Sequence, residues 1–431
     1  LWIAGFIRRR MSKKPYSWVA GAVLEEHSRR KHKVIAEYVA RYLTVRCQLP
    51  QQSRFRLAIV DGFAGGGQYK CGSPGSPLIF INELRVATEQ FNIKRQAEGM
   101  SPLDIECLLI LNDFDKETVE LLKTNAASLI AEIKENVPKL HLRVEYRNEK
   151  FDELYPEVKQ LLERGSYHNV LFNLDQCGTG SVEINTIGDI VASFTSVEIF
   201  YTFGIQTLLT FLHQTDRGAL ARQLAPFGVS PDDLSQLDGL MTKDAWLGAA
   251  ERIVFESFRR CANYVSPFSI HNPDGWRYWL IHFANSVRAR QEYNNILHQN
   301  SSAQAHFGRS GLHMLSYDPS EADSMLYMFD AAGRAEAKKQ LHDDIPRFIT
   351  NYGDAIPVGE FYASIYNATP AHMHDINSAI IENPDLEVIT EQGGGERRKA
   401  NMIKTSDILR LKQQRSFFPF FFENQSRVAK K

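Results

Sequence analysis

The chain has 431 residues, which sets an expectation of two or three domains. Apolar residues make up 43% and charged residues 23%, an ordinary globular composition that excludes whole-chain disorder and a collagen-like fibre. Lys and Arg number 50 against 51 Asp and Glu, a formal net charge of -1, so no global field favours a polyanion and any nucleic-acid contact must rest on local basic charge.

Residues 1–10 (LWIAGFIRRR) place basic residues after apolar ones, the reverse of a signal peptide. Lying just before Met11, they are expected to be upstream translated sequence or a cloning remnant, and residues 1–24 an N-terminal extension. From residue 25 to 46, Val34, Ile35, Tyr38, Val39, Tyr42 and Leu43 recur at helical spacing behind a basic start. The apolar run 55–60 then reads as a buried strand, followed by Asp61 and a glycine-rich loop. Pro77 opens a helix over 77–90. Residues 105–111 form a second strand, and 116–135 a helix. Strands at 140–146, 169–175 and 197–203 alternate with helices at 152–164 and 182–193.

Five apolar strands separated by helix-length segments predict a parallel sheet covered on both faces. Right-handed crossovers put the post-strand loops on one edge, so Asp61, Asp113, Asn148 and Asp175 should converge there. Residues 205–262 read as a helical insertion. Strands at 264–272 and 275–285 follow, joined by an Asn-Pro-Asp-Gly turn, and then a helix over 286–300. A hairpin closing a parallel sheet is the seven-strand pattern of Rossmann-like methyltransferases. The first domain is placed at 25–310.

Residues 311–431 differ. Helices are expected at 335–350 and at 358–382, the latter broken at Thr369-Pro370, before LEVIT (386–390) and a triple-glycine turn. Helix, turn, helix and then a glycine-tipped ribbon that carries a basic segment is a winged-helix outline. Between 393 and 415 seven basic residues, Arg397, Arg398, Lys399 and Lys404 among them, stand against Glu396 and Asp407. That local excess marks these four as candidate nucleic-acid contacts.

The five cysteines are scattered, with no Cys-x-x-Cys pair, so neither a disulfide framework nor a four-cysteine zinc site is expected. Reduced thiols in a cytoplasmic protein fit them. No apolar run reaches the roughly 18 residues that span a bilayer. The histidines show no zinc spacing, and no metal is expected.

The candidate chemistry lies at the strand ends. Asp61-Gly62-Phe63-Ala64-Gly65-Gly66-Gly67 allows close backbone approach to a ligand. It lacks dinucleotide-fingerprint spacing, and the next strand-end acid, Asp113, lies 52 positions on, too far for an NAD ribose acid. A tight structural turn is the alternative reading. Asp113 suits an adenosyl ribose, or equally a helix N-cap. Asp175, in NLDQCG, can orient a nucleophile and take its proton, or cap a helix. Cys177 has no evident partner base and reads as a small buried residue. Lys31 and His32 begin the first helix, where a solvated basic face is the plain alternative.

Together, KHKVIAEYV, IVDGFAGGGQYKCGSPGSPL, LNDFDK, NLDQCG and HFGRSGLHMLSYDP (306–319) resemble the three-Cys-motif partner protein (TcmP) family over most of residues 25–420. The N-terminal half also looks like a bacterial rRNA adenine-N6 methyltransferase. The resemblance implies S-adenosyl-L-methionine at the strand ends and a partner protein with a three-cysteine motif. It carries Lys31 and His32 onto the family's N-terminal motif, Asp61, Gly62, Phe63, Gly65 and Gly67 onto the cofactor loop, and Asp113 onto the ribose acid. Asn148 or Glu149 would meet the adenine edge, and Asp175 would be the catalytic strand end.

One departure stands out. Amino-group methyltransferases carry Asp/Asn-Pro-Pro-aromatic at the fourth strand, whose ring stacks on a flipped base. Gln176, Cys177 and Gly178 stand there instead, which counts against adenine-N6 chemistry. The expected function is a methyltransferase acting on nucleic acid with a partner. The alternative is an inactive methyltransferase-fold module that docks nucleic acid or protein. A nuclease would need a clustered acidic metal motif.

Overall fold

The protein was studied as a computed structural model, which describes residues 17–176, 179–240, 242–271, 277–300, 304–306, 312, 327–328 and 330–412. Residues 1–10, Cys177, Gly178, the Asn-Pro-Asp-Gly turn, nearly all of the 306–319 stretch and the phenylalanine-rich 417–422 tract lie outside them. The chain divides into two compact units. The first is built within residues 1–309, 313–333 and 366–370, and the second within 310–312, 334–365 and 371–431.

The first unit opens with α1 (Glu26–Arg46), then β1 (Arg54–Asp61), α2 (Ser76–Ala97), β2 (Asp104–Asn112), α3 (Lys116–Asn136), β3 (Leu140–Arg147), α4 (Phe151–Arg164), β4 (Asn169–Leu174), α5 (Ile184–Ser193) and β5 (Ser196–Phe203). The helical insertion follows as α6 (Ile205–Phe211), α7 (Arg217–Leu224), two short 3-10 turns and α8 (Lys243–Arg259). The hairpin strands are β6 (Tyr264–His271) and β7 (Arg277–Ala284), before α9 (Val287–Gln299).

The strand order is β3-β2-β1-β4-β5-β7-β6, extended by the short β8 (Gln304–His306) and β9 (Tyr327–Met328). The first five strands are parallel. The hairpin closes the sheet antiparallel, and its second strand rather than its first lies against β5. This is the seven-strand α/β pattern that the sequence predicts, parallel except for the inserted strand.

Burial explains the order. β1 is almost wholly buried, as a central strand covered on both faces must be, whereas β3 at the edge is mostly half-exposed. α1 turns one stripe inward from Val34 to Leu43, and that stripe begins with Lys31 and His32. The two polar side chains are thereby carried under cover rather than onto a solvated face. The insertion joins the same core through Phe203, whose ring lies 5.1 Å from Phe258 and 5.3 Å from Phe227.

The second unit runs α10 (Ala331–Thr350), β10 (Ala355–Pro357), α11 (Val358–Ile365), α12 (Met373–Glu382), β11 (Leu386–Ile389) and β12 (Ile408–Leu411). Its antiparallel sheet has the order β10-β12-β11. The basic stretch is mostly loop, not ribbon. Asp407, 1% exposed, takes the Nε and Nη2 of Arg397 at 2.9 and 3.0 Å and the Lys404 N–H at 2.8 Å. One buried carboxylate therefore ties the loop back on itself before β12 begins.

Candidate functional site

Parallel pairing fixes the strand ends. Asp61 stands opposite Leu111 on β2 and Asn173 on β4, so Asp61, Asp113 and Asp175 leave the sheet along one edge. The loop after β1 is threaded between its neighbours by backbone hydrogen bonds. Gly62 N–H donates to the Asn173 carbonyl at 3.0 Å, and Ala64 N–H to that of Asn112 at 2.8 Å. Asn112 gives its amide to the Gly62 and Glu149 carbonyls, joining this loop to the one after β3.

Gly65 has φ +63°, and a Cβ there would sit 2.4 Å from the Trp18 indole. At Gly62 a Cβ would sit 2.7 Å from Phe151. The chain's own side chains therefore account for glycine at both positions. Phe63 is half-buried, its ring 6.0 Å from Phe151. Gly67 accepts the Gly75 N–H through its carbonyl at 2.7 Å, tying the loop to the start of α2.

Asp61 is fully buried. Asn173 donates to its Oδ1 at 3.1 Å and the Phe63 N–H at 3.4 Å. Its Oδ2 has no donor in hydrogen-bonding geometry, although the Ser76 hydroxyl lies close enough to favour the charged form. Burial pushes its pKa up to about 7, against the pull of Ser76 and Asn173 and with the charge of Asp175 adding to the rise.

Asp175 behaves oppositely. Burial alone would raise it, but Lys31 Nζ lies 2.5 Å from both its oxygens and, with Thr202, holds the carboxyl below its usual range. His32 is 7% exposed, and burial and the charge of Lys31 push it down to about 4. Its imidazole is thus neutral at pH 7, and Nδ1 has no partner. Lys31, His32, Asp61 and Asp175 form one electrostatic group at the ends of β1 and β4.

Asp113 anchors the neighbouring corner. Its Oδ2 takes the Gly65 N–H and its Oδ1 the Asp115 N–H, both at 3.0 Å. Asp115, not Asp113, caps α3, accepting from the Thr118 N–H. Burial raises the Asp113 pKa. Asn148 spends its amide on the Asp113 and Phe114 carbonyls at 2.9 and 2.8 Å, so it orders this corner. Glu149 is exposed, and its backbone N–H donates to Asn112 Oδ1 at 3.1 Å.

The four basic candidates lie in the second unit. Arg397 is committed to Asp407, whereas Arg398, Lys399 and Lys404 are exposed and in no ion pair among the described residues. No group of three or more His, Cys, Asp or Glu positioned for a metal occurs among the described residues. No described helix is long and apolar enough to cross a membrane.

Sequence reasoning missed Trp18, which belongs to no periodic element, and Tyr69, whose ring lies 4.7 Å from Trp18 and 5.6 Å from His32. It also missed Asn112 and Asn173, polar residues closing otherwise apolar strands, a signal that was available. No protein-family model matches the chain, and no curated protein does. Among solved structures, it is similar to a putative O-methyltransferase from Klebsiella pneumoniae, at 10% identity over 57% of this chain and 80% of that one, with a TM-score of 0.23. It is also similar to the O-methyltransferase TomG from Streptomyces achromogenes, involved in tomaymycin synthesis and solved in complex with SAM, at 11% identity over 57% and 79%, with a TM-score of 0.24.

Proposed function

We propose that the first unit is an S-adenosyl-L-methionine-dependent methyltransferase. The observation that carries this reading is the gathering of Asp61, Asp113 and Asp175 at one sheet edge around a glycine turn, with a fully buried Asp61 oxygen that only the Ser76 hydroxyl approaches, outside hydrogen-bonding geometry. A buried carboxylate oxygen without a donor suits a ligand that brings one. Asp61, His32 and the 62–67 loop would hold the cofactor's amino-acid end. Asp113 would hold the ribose, and the Asn148–Glu149 corner the adenine edge.

When bound, the cofactor supplies a methyl group already activated on a sulfonium sulfur. The chain has to align an acceptor and exclude water. Asp175, kept ionised by Lys31, is a poor proton acceptor and a good orienting acceptor of hydrogen bonds.

The acceptor we propose is nucleic acid. Its support is the exposed Arg398, Lys399 and Lys404, and the second unit's helix–strand–helix–helix–strand–strand order, which is that of a winged helix. α12 carries no Lys or Arg, so phosphate contact is assigned to the 397–404 loop. The TcmP resemblance adds a three-cysteine-motif partner to the proposal, and the scattered cysteines add a cytoplasmic setting.

A second reading, a binding module without turnover, draws on the Trp18 indole seated over Gly65 and on the closed Lys31–Asp175 pair. Calorimetric titration with S-adenosyl-L-methionine tests the cofactor: heat is expected with wild type, and at least tenfold weaker binding with Asp113→Ala. No heat with wild type sinks the proposal. Labelled-methyl transfer to total RNA and DNA then separates the readings, since binding without transfer selects the module.

A further inference from the structure

A cavity of about 220 Å³ lies at the edge of the same sheet opposite the strand-end aspartates. It opens between the C-terminal half of α1, the start of β5 and the start of α9, with Tyr38, Tyr42, Arg46, Glu198 and Arg288 on its walls. β5 is eight residues long, which puts this edge on the order of 25 Å from the strand-end aspartates.

Its floor holds a carboxylate that the protein leaves half satisfied. Glu198 is 7% exposed. Oε2 accepts from the Tyr38 hydroxyl and from His282 Nε2, the latter at 3.0 Å. Oε1 has no donor among the described residues and is not sealed, so it opens onto the cavity that Glu198 lines. The fully buried His282 has its pKa lowered by burial against the pull of Glu198, so neither hydrogen-bond partner brings a full cation.

Glu292, also on the cavity wall, is the opposite case. Arg41 grips it at 2.7 and 3.2 Å, and Arg288 pairs with it as well. Two guanidiniums on one carboxylate leave local positive charge, and the exposed Arg46 adds to it. The cavity thus has an open carboxylate oxygen at its base and guanidinium groups at its rim. Its volume is below the ~300–1,000 Å³ of pockets for drug-sized ligands.

We propose that this cavity binds a free α-amino acid or a zwitterion of similar size, its ammonium on Glu198 Oε1 and its carboxylate at the Arg46–Arg288 rim. A buried carboxylate with an unmet lone pair gains most from a charged donor. The rim discriminates against simple amines by electrostatic repulsion. The site is independent of the strand-end chemistry and of any cofactor there.

The test uses the full chain and the twenty standard amino acids, one at a time, by thermal shift and then calorimetry. At least one is expected to raise the melting temperature and give a measurable affinity. Its N-acetyl derivative, lacking the ammonium, and its amide, lacking the carboxylate, should each bind at least tenfold more weakly. Glu198→Gln should weaken the amino acid at least tenfold. Thr195→Trp, at an exposed rim position, should do the same by blocking the mouth, and it decides the matter if the Glu198 variant does not fold. The proposal is overturned if no amino acid stabilises the protein, if Thr195→Trp leaves affinity unchanged, or if the N-acetyl or amide form binds as well as the parent.

Discussion

Lys31, in the first turns of α1, places its ammonium 2.5 Å from both carboxylate oxygens of Asp175, 144 positions later at the end of β4. Lys31 is nearly buried and Asp175 about a fifth exposed, so the pair sits where breaking it leaves a poorly solvated charge. Lys31→Met should destabilise the protein by about 3 kcal/mol at pH 7. Asp175 has a depressed pKa, so its stabilising contribution is present above the unfolded value and lost on acidification. The deficit of the variant should therefore shrink as pH falls through the carboxylate range. Urea titrations of both single variants and of Lys31→Met with Asp175→Asn measure the coupling. Additive effects would remove the pair from the account.

Asp61 makes the reverse prediction. Its pKa is raised from 3.8 to about 7, so wild-type stability falls as pH rises between those values and is flat above them. Asp61→Asn keeps the Oδ1 acceptor for Asn173 and never ionises. Its stability relative to wild type should grow by about 2–3 kcal/mol between pH 5 and pH 8. A pH-independent difference would show that Asp61 is not held protonated by burial.

Gly65 is constrained twice, by a positive φ and by Trp18. Gly65→Ala should cost about 2–3 kcal/mol in wild type. With Trp18→Ala the steric part disappears and only the ~1 kcal/mol backbone part remains. Chemical denaturation of the four proteins resolves the two parts, and equal costs in both backgrounds would place the indole elsewhere.

The basic loop of the second unit separates two kinds of arginine. Arg397→Ala should destabilise the second unit measurably, because it removes the guanidinium that pairs with Asp407. Arg398→Ala, Lys399→Ala and Lys404→Ala should each change stability by less than about 0.5 kcal/mol. If the loop grips phosphate, those three together should flatten the salt dependence of nucleic-acid affinity by up to about 3 in log–log slope. An unchanged slope with intact affinity moves the contact off this loop.

The sequence made the α/β sheet legible because a strand covered on both faces reads as a continuous apolar run, as at 55–60 and 105–111, and because helix-length segments between such runs admit one handedness of crossover. That reasoning also brings Asp61, Asp113 and Asp175 to one edge without any knowledge of contacts. Loops carry no such periodicity. The basic stretch after residue 393 reads as a ribbon, yet one buried aspartate, Asp407, folds most of it into loop.

What the sequence determined by itself was order, period and strand-end chemistry, all set by neighbours a few positions apart. The tertiary structure alone decided which charges meet. Lys31 and Asp175 form a pair because α1 lays its inward stripe beside the end of β4. Asp61 is driven toward neutrality because burial outweighs the donors it has. Trp18 accounts for Gly65 because a segment without periodicity packs on the loop. Glu198 faces a cavity because β5, α1 and α9 leave one there. Desolvation and Coulomb energy depend on distance and on surrounding dielectric, and neither quantity exists along a one-dimensional chain.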